Sequence, residues 1–189
     1  LGDLATKTIK AVSNHTFQDD PVRLLRAVRL SAQLDFSIDE LTSDLIKRDS
    51  HLLSVVAPER LRDELLKTLA EPKATVHVRL MDDLGLLCRL IPELEVARDV
   101  EQPKEHYWDV FYHCLETPGH VERLITKEGR DGDDIISYSP WLPSLKEYFE
   151  EEVSDGHTRL TIIKLTGLLH DISKPATKFL DSTGRMRFF

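Results

Sequence analysis

The stretch Asp19-Asp20-Pro21-Val22-Arg23-Leu24-Leu25-Arg26-Ala27-Val28-Arg29 decides how this chain is read. Asp20 suits a helix cap. Pro21 suits a first helical turn, where its missing N–H would have no partner. Leu24, Leu25, Val28 and Ala32 then recur at helical spacing and predict one buried face to about Leu34. Arg23, Arg26 and Arg29 follow at i, i+3 and i+6 and share the opposite side. This is an amphipathic helix with two carboxylates at its mouth.

The same 3.6-residue period runs outward in both directions. Gly2 to Val12 reads as a short helix, with Asn14 to Gln18 as a linker. Helices are expected from Ile38-Asp39 to about Arg48, from Pro58 through Leu69, and from Lys73 to Leu84, where Gly85 ends the last. Beyond Pro92 and Pro103 a helix is expected from about Tyr107 to Thr117, stopped by Pro118-Gly119, with a shorter one following to Thr126. Glu128 to Pro140 reads as a loop and Pro143 to Val153 as an acidic helix. The triplet Glu150-Glu151-Glu152 then forms a solvated helical face. Thr158 to Ile172 is the most apolar segment and is expected at the centre of a helical domain. Strand alternation is weak throughout. The fold class is all-α, in two helical domains with a boundary near residues 95–105.

Composition bounds the rest. In 189 residues, 41% are hydrophobic, enough for a packed core. No apolar run approaches the ~18 residues of a membrane span, so no membrane partner is expected. Cys88 and Cys114 form no C-x-x-C pair and read as buried small hydrophobes of a reducing, cytoplasmic protein. No P-loop or Rossmann glycine pattern appears. The net charge of −8 argues against a general nucleic-acid coat, but it is unevenly spread. Residues 1–30 hold five basic side chains against three acids, whereas residues 98–160 hold seven against fifteen. The first segment is free to meet a polyanion.

Two constellations carry chemistry. At the mouth of the first helix, a carboxylate beside a guanidinium offers acceptors and donors in fixed geometry, which suits the polar edge of a nucleobase. A capped helix with a first-turn salt bridge accounts for the same spacing. In the second half, His106, Asp109 and His113 stand at i, i+3 and i+7, and His170-Asp171 closes the apolar helix. Imidazole and carboxylate on two helices are what a divalent metal requires in a helical site.

Phe17 to Arg29 resembles the F-x-E-D-P-x-R-x-x-R-A-x-R segment of the class II tRNA nucleotidyltransferase and poly(A) polymerase family, which includes the CCA-adding enzymes. Three more stretches follow in order. Gly2-Asp3-Leu4 through Lys10 resembles the end of the G-G-x-x-D-L segment closing that family's catalytic head. Ala57 to Leu65 resembles its S-x-E-R-I-x-x-E-L helix, and Leu90-Ile91-Pro92-Glu93-Leu94 its L-x-P-E-L element. The resemblance implies that residues 1–12 are the tail of a head domain, 13–95 a helical neck and 100–189 an HD domain truncated at its C-terminus.

By the same resemblance, Asp20 and Arg23 pair with the base edge of CTP or ATP and Asp19 holds Arg23. Asp19 is one methylene shorter than the family's usual Glu. Arg26 and Arg29 either support the nucleotide site, to which Arg26 is assigned, or meet RNA phosphate at a tRNA or other RNA 3′ end. The Mg2+-binding carboxylates of nucleotidyl transfer belong to the head, so this chain by itself is expected to add no nucleotides. Leu168 to Pro175 resembles the L-L-H-D-I-G-K-P segment of HD phosphohydrolases, and Glu105 to His113 the H-x-x-D-V-x-x-H segment that precedes it. This implies His113, His170 and Asp171 as ligands of a divalent transition metal, with His106 nearby. A stand-alone metal-dependent HD phosphohydrolase and a non-catalytic RNA-binding module are the alternative readings.

Overall fold

The computed structural model describes residues 2–102, 107–126, 142 and 144–188. Among these the architecture is all-α, as expected, with three two-stranded pairings of minimal length. The first half holds α1 (Gly2–Ala5), β1 (Thr8–Ile9), α2 (Thr16–Asp19), α3 (Arg23–Leu34), β2 (Ser37–Ile38), α4 (Glu40–Asp49), α5 (Pro58–Ala70), α6 (Ala74–Asp83) and α7 (Leu87–Leu90). The second half holds α8 (Val110–Thr126), α9 (Ser144–Glu150), β3 (Glu152–Ser154), β4 (His157–Thr158), α10 (Arg159–Leu169), α11 (Lys174–Thr177), β5 (Phe179–Leu180) and β6 (Met186–Arg187). No helix among the described residues is long and apolar enough to cross a membrane.

The long helices form for the reasons their sequences suggest. In α3, Leu24, Leu25 and Val28 are buried, and the three arginines stand outside that stripe. In α4, the Asp39 carboxylate accepts the Thr42 N–H at 3.0 Å and caps the helix. Pro58 opens α5, and Gly85, at φ 70°, follows α6 in the left-handed region that favours glycine. The core is one cluster that runs from Phe17 and Leu24 through Leu94 to Phe111 and Leu168. Helices on both sides of the 95–105 connection therefore pack on one another. Both cysteines are free thiols; burial pushes Cys88 up to about 12 and Cys114 up to about 11, so neither is a thiolate near neutrality.

Several elements differ from expectation, each for a local reason. The first helix stops at Ala5. Thr8 and Ile9, both β-branched, pair in parallel with Ser37 and Ile38 instead. Asp20 does not cap α3, because its carboxylate lies against Arg60, and the linker expected over residues 14–18 contains α2. The acidic helix ends at Glu150, so the triplet Glu150-Glu151-Glu152 is not one helical face. Glu151 pairs with Arg159, and Glu152 opens β3, which pairs antiparallel with β4. The expected loop at 128–140 lies outside the described residues.

Pro118-Gly119 does not stop α8, which runs on to Thr126. Proline removes one N–H from the ladder and displaces the carbonyl four residues back. The Thr75 hydroxyl fills the break: it lies 3.1 Å from both the Leu115 and Glu116 carbonyls and accepts the Gly119 N–H at 3.0 Å. Only glycine permits this approach, since a Cβ at 119 would lie 2.5 Å from that hydroxyl oxygen.

The apolar α10 is not central on all sides. Its buried residues are Thr161, Lys164, Gly167 and Leu168, while Ile162 is 38% exposed. The helix seats one stripe against α8, where Gly167 lets the backbones close: a Cβ there would lie 3.0 Å from the Thr117 methyl.

That stripe carries a buried cation. Lys164 Nζ is 3.3 Å from Glu122 Oε2 and donates to the Leu69 and Glu71 carbonyls at 3.0 and 3.1 Å. Glu122 accepts the Lys73 and Ala74 N–H groups at 2.8 and 2.9 Å. Burial pulls the Lys164 pKa down while Glu122 opposes the shift. Removing one partner of such a pair leaves an uncompensated buried charge, so Lys164→Met is expected to cost about 3–5 kcal/mol by urea unfolding. The double variant with Glu122→Gln is expected to cost less than the two single changes together; strict additivity would show that the two groups do not act as a pair.

His77 adds a pH signature. Burial lowers its pKa, against the raising effect of its 2.7 Å bond to the Pro72 carbonyl. The unfolded chain therefore takes up this proton first as pH falls through the ordinary imidazole range, and stability is lost in that window. His77→Gln is expected to flatten that part of the thermal-midpoint profile; an unchanged slope would refute the assignment.

Candidate functional site

At the mouth of α3, Asp20 sits in extended backbone between α2 and α3. Arg60 Nη2, from the first turn of α5, donates to both Asp20 oxygens at 3.1 and 3.2 Å. Arg23 Nε lies 3.9 Å from Asp20 Oδ2, and Arg23 Nη1 donates to the Thr16 carbonyl at 3.2 Å. Asp20 and Arg23 are thus brought together, as the spacing suggested. Asp19 is exposed at the end of α2, and among the described residues no hydrogen bond or ion pair joins it to Arg23.

One turn further, Arg26 and Arg29 converge on Glu64 of α5. Arg26 Nε meets Oε1 at 3.1 Å and Arg29 Nε meets Oε2 at 2.7 Å. Glu64 is 5% exposed, and a buried carboxylate persists only when paired. Arg29 also donates to Gln33 at 2.9 Å. Beside these groups a cavity of about 340 Å³ opens between β1 and α3, with Lys10, Arg23, Arg26 and two threonines, Thr16 and Thr42, in a wall that also holds apolar residues such as Phe17 and Leu30.

In the second half, α8 supplies His113 and the turn after α10 supplies His170 and Asp171. His113 Nε2 lies 3.1 Å from His170 Nε2 and 3.4 Å from Asp171 Oδ2, and His170 Nε2 lies 3.1 Å from the same oxygen. The three donor atoms fall within 4.8 Å of one another. The His170 Nδ1–H donates to the Gly167 carbonyl at 2.7 Å, which holds the ring and leaves Nε2 as the donor lone pair. Two imidazoles and one carboxylate fit a divalent transition metal.

Asp109 is not part of this cluster. The helix begins at Val110, and Asp109 caps it: Oδ1 accepts the Tyr112 N–H at 2.7 Å and Oδ2 the Asp99 N–H at 3.0 Å. The i, i+3, i+7 face expected from 106, 109 and 113 therefore starts too early. His106 lies outside the described residues.

Four partners escaped the sequence reading. Arg60 and Glu64 stand in the motif quoted from α5, i and i+4 apart, but nothing local pairs them with residues some 40 positions earlier. Lys174 donates to Asp171 at 2.6 Å and to Gln102 at 2.7 Å. Gln102 passes the chain of bonds to the Trp108 carbonyl at 3.2 Å. The i+3 spacing of Asp171 and Lys174 was a legible signal; Gln102 had none.

The family described as "Probable RNA and SrmB- binding site of polymerase A" matches residues 35–98. The CC-adding tRNA nucleotidyltransferase of Geobacter sulfurreducens is 44% identical over 174 residues, covering 92% of this chain and 36% of that protein. The A-adding tRNA nucleotidyltransferase of Deinococcus radiodurans is 28% identical over 192 residues, covering 98% of this chain and 37% of that protein. A solved CCA-adding enzyme in its apo form I superposes with a TM-score of 0.53 at 24% identity, over 93% of this chain and 40% of that one, a likeness of fold. The chain spans little more than a third of the length of these curated relatives. These matches support the chain as a fragment of a class II tRNA nucleotidyltransferase.

Proposed function

We propose that this chain is the base-reading neck and the following HD-type module of an enzyme that adds nucleotides to tRNA 3′ ends. The observation that carries the reading is the placement of Asp20 and Arg23 side by side, 3.9 Å apart, at the mouth of α3, in a chain 44% identical to a CC-adding tRNA nucleotidyltransferase. Residues 13–95 form the neck, 100–189 the HD-type module, and 1–12 continue from a catalytic head. Asp20 offers acceptors and Arg23 donors to the base of CTP or ATP, with Asp19 and Arg26 at the border of the same site. Arg26 and Arg29 face RNA phosphate. Mg2+ and the carboxylates that activate the 3′-hydroxyl belong to the head.

Two experiments bear on this. The 189-residue chain by itself is expected to incorporate no CMP or AMP into tRNA, and measurable incorporation would overturn the assignment of catalysis to the head. In the full-length protein, Arg26→Gln, which leaves Arg29 on Glu64, is expected to weaken tRNA binding and flatten its salt dependence by about one counterion. A salt slope equal to wild type would remove Arg26 from the RNA surface.

The His113–His170–Asp171 cluster favours a second activity in the same protein, metal-dependent phosphoester hydrolysis. A bound divalent metal would supply Lewis acidity and an activated water. The chain's own part is to hold the His170 ring on the Gly167 carbonyl and to place the Lys174 ammonium beside Asp171, where it meets an anionic phosphoester. Calorimetric titration with Ni2+ or Mn2+ is expected to show binding that His170→Ala abolishes; indistinguishable traces would sink the metal assignment. Cleavage of a 2′,3′-cyclic nucleotide, lost in the same variant, is the expected readout of the hydrolase.

A further inference from the structure

The groups that would read the base are not independent side chains, because a second helix holds them. Arg60 Nη2 bisects the Asp20 carboxylate, 3.1 and 3.2 Å from its two oxygens. Contact at that single point fixes the carboxylate plane and leaves the outer lone pairs of both oxygens for another donor. Arg23 stands off at 3.9 Å, tethered to the Thr16 carbonyl. Without Arg60, Arg23 is the nearest cation to Asp20. The two would close into a bidentate pair and spend on each other the hydrogen bonds a base requires.

Four residues along α5, Glu64 grips Arg26 and Arg29. The first turns of α5 thus grip α3 at two levels, the carboxylate at its mouth and the arginines one turn in. The upper level is open to a ligand: the Asp20 side chain is 26% exposed and that of Arg60 51%. An exposed pair of this kind contributes little to stability, so structure alone gives it little to do. Its leverage is on selectivity. A site built to hydrogen-bond a polar edge rejects wrong partners strongly only while its own groups keep their orientation.

The geometry points to Arg60 as a positioning residue that sets base selectivity by holding Asp20 apart from Arg23. This rests on the base-reading role proposed above for Asp20 and Arg23.

The test is steady-state nucleotide addition by the full-length protein, with each of the four nucleoside triphosphates offered to tRNA. Arg60→Ala is expected to raise KM for the preferred nucleotide about tenfold at nearly constant kcat, and to lower its kcat/KM advantage over the others by a similar factor. Arg60→Lys, which keeps the charge but not the planar fork, should restore part of that advantage. Thermal midpoint and tRNA affinity should stay at wild-type values. Arg62→Ala, an exposed arginine on the same helix, should change nothing. If Arg60→Ala keeps its selectivity while Asp20→Ala loses it, the positioning role is wrong and the base-reading role stands. If Asp20→Ala also keeps its selectivity, both fall. A selectivity loss that returns on cooling, together with a lowered midpoint, would mark Arg60 as merely structural and overturn the proposal.

Discussion

The buried pair Glu122–Lys164 is the constraint on which the arrangement depends. Each group does two things. Glu122, on α8, closes the free N–H groups at the buried start of α6 while it neutralises the lysine. Lys164, on α10, closes the carbonyls at the end of α5. Helix ends buried without partners are costly, and here the turn between α5 and α6 has both its ends satisfied from the second half of the chain. The same turn passes through Lys73 at φ 62°, a left-handed conformation that a non-glycine residue holds only when its surroundings impose it. Two desolvated charges contribute little net stability. What they impose is one alignment of four helices, since any slip leaves a charge in a dry place.

Both sites inherit that alignment. α5 is pinned at its C-terminal end by Lys164 on the Leu69 carbonyl, and at 1.5 Å per residue Glu64 lies about 8 Å and Arg60 about 14 Å back along the helix, where they meet α3. The rotation of α5 about its axis is thus set away from the groups it positions. The histidine cluster depends on the seam between α8 and α10. Glu122 and His113 lie on one helix, and Lys164 precedes His170 by six residues, so the buried pair and the 3.1 Å approach of the two imidazoles are set by one helix crossing. Gly167 permits that crossing at the Thr117 methyl, and its carbonyl also orients the His170 ring.

The legible part of the molecule is the part governed by local period. The extents of α3, α4, α5 and α6 follow from apolar spacing, from Asp39 as a cap and from Pro58 and Gly85 as boundaries. Misjudged elements are those where a distant group overrides a local signal. Pro118-Gly119 carries a strong stop signal, which the Thr75 hydroxyl from α6 cancels by taking the freed backbone groups. Asp20 is a good cap by type, but a guanidinium 40 residues away competes for it. Residues 8–9 lie in a helical-looking run, and β2 provides them a ladder. The same division applies to the sites. Asp20 and Arg23 come together as their spacing suggested, and His113 with His170 and Asp171 as the resemblance to HD segments implied. The groups that orient them, Arg60, Glu64, Gln102 and the Gly167 carbonyl, belong to tertiary structure and leave little trace in spacing.

The charge balance of the first thirty residues takes its physical meaning from one such distant group. Five cations against three acids describe the segment as basic, yet Glu64 lies outside it and engages two of those cations. A buried carboxylate held by two guanidiniums leaves one net positive charge, so simple counting overstates the local field. Orientation compensates. Glu64 contacts both arginines through Nε, and a guanidinium bound through Nε keeps its Nη groups for a further acceptor. Arg29 directs one of these to Gln33, while the Arg26 side chain is 41% exposed beside the cavity that Arg23 also lines. Glu64 therefore lowers the long-range attraction of this segment for a polyanion and raises the directionality of what remains. On the proposed reading, that is the balance an enzyme needs if it must release one 3′ end and take up the next: a donor array aimed at a particular phosphate rather than a basic surface that retains any of them.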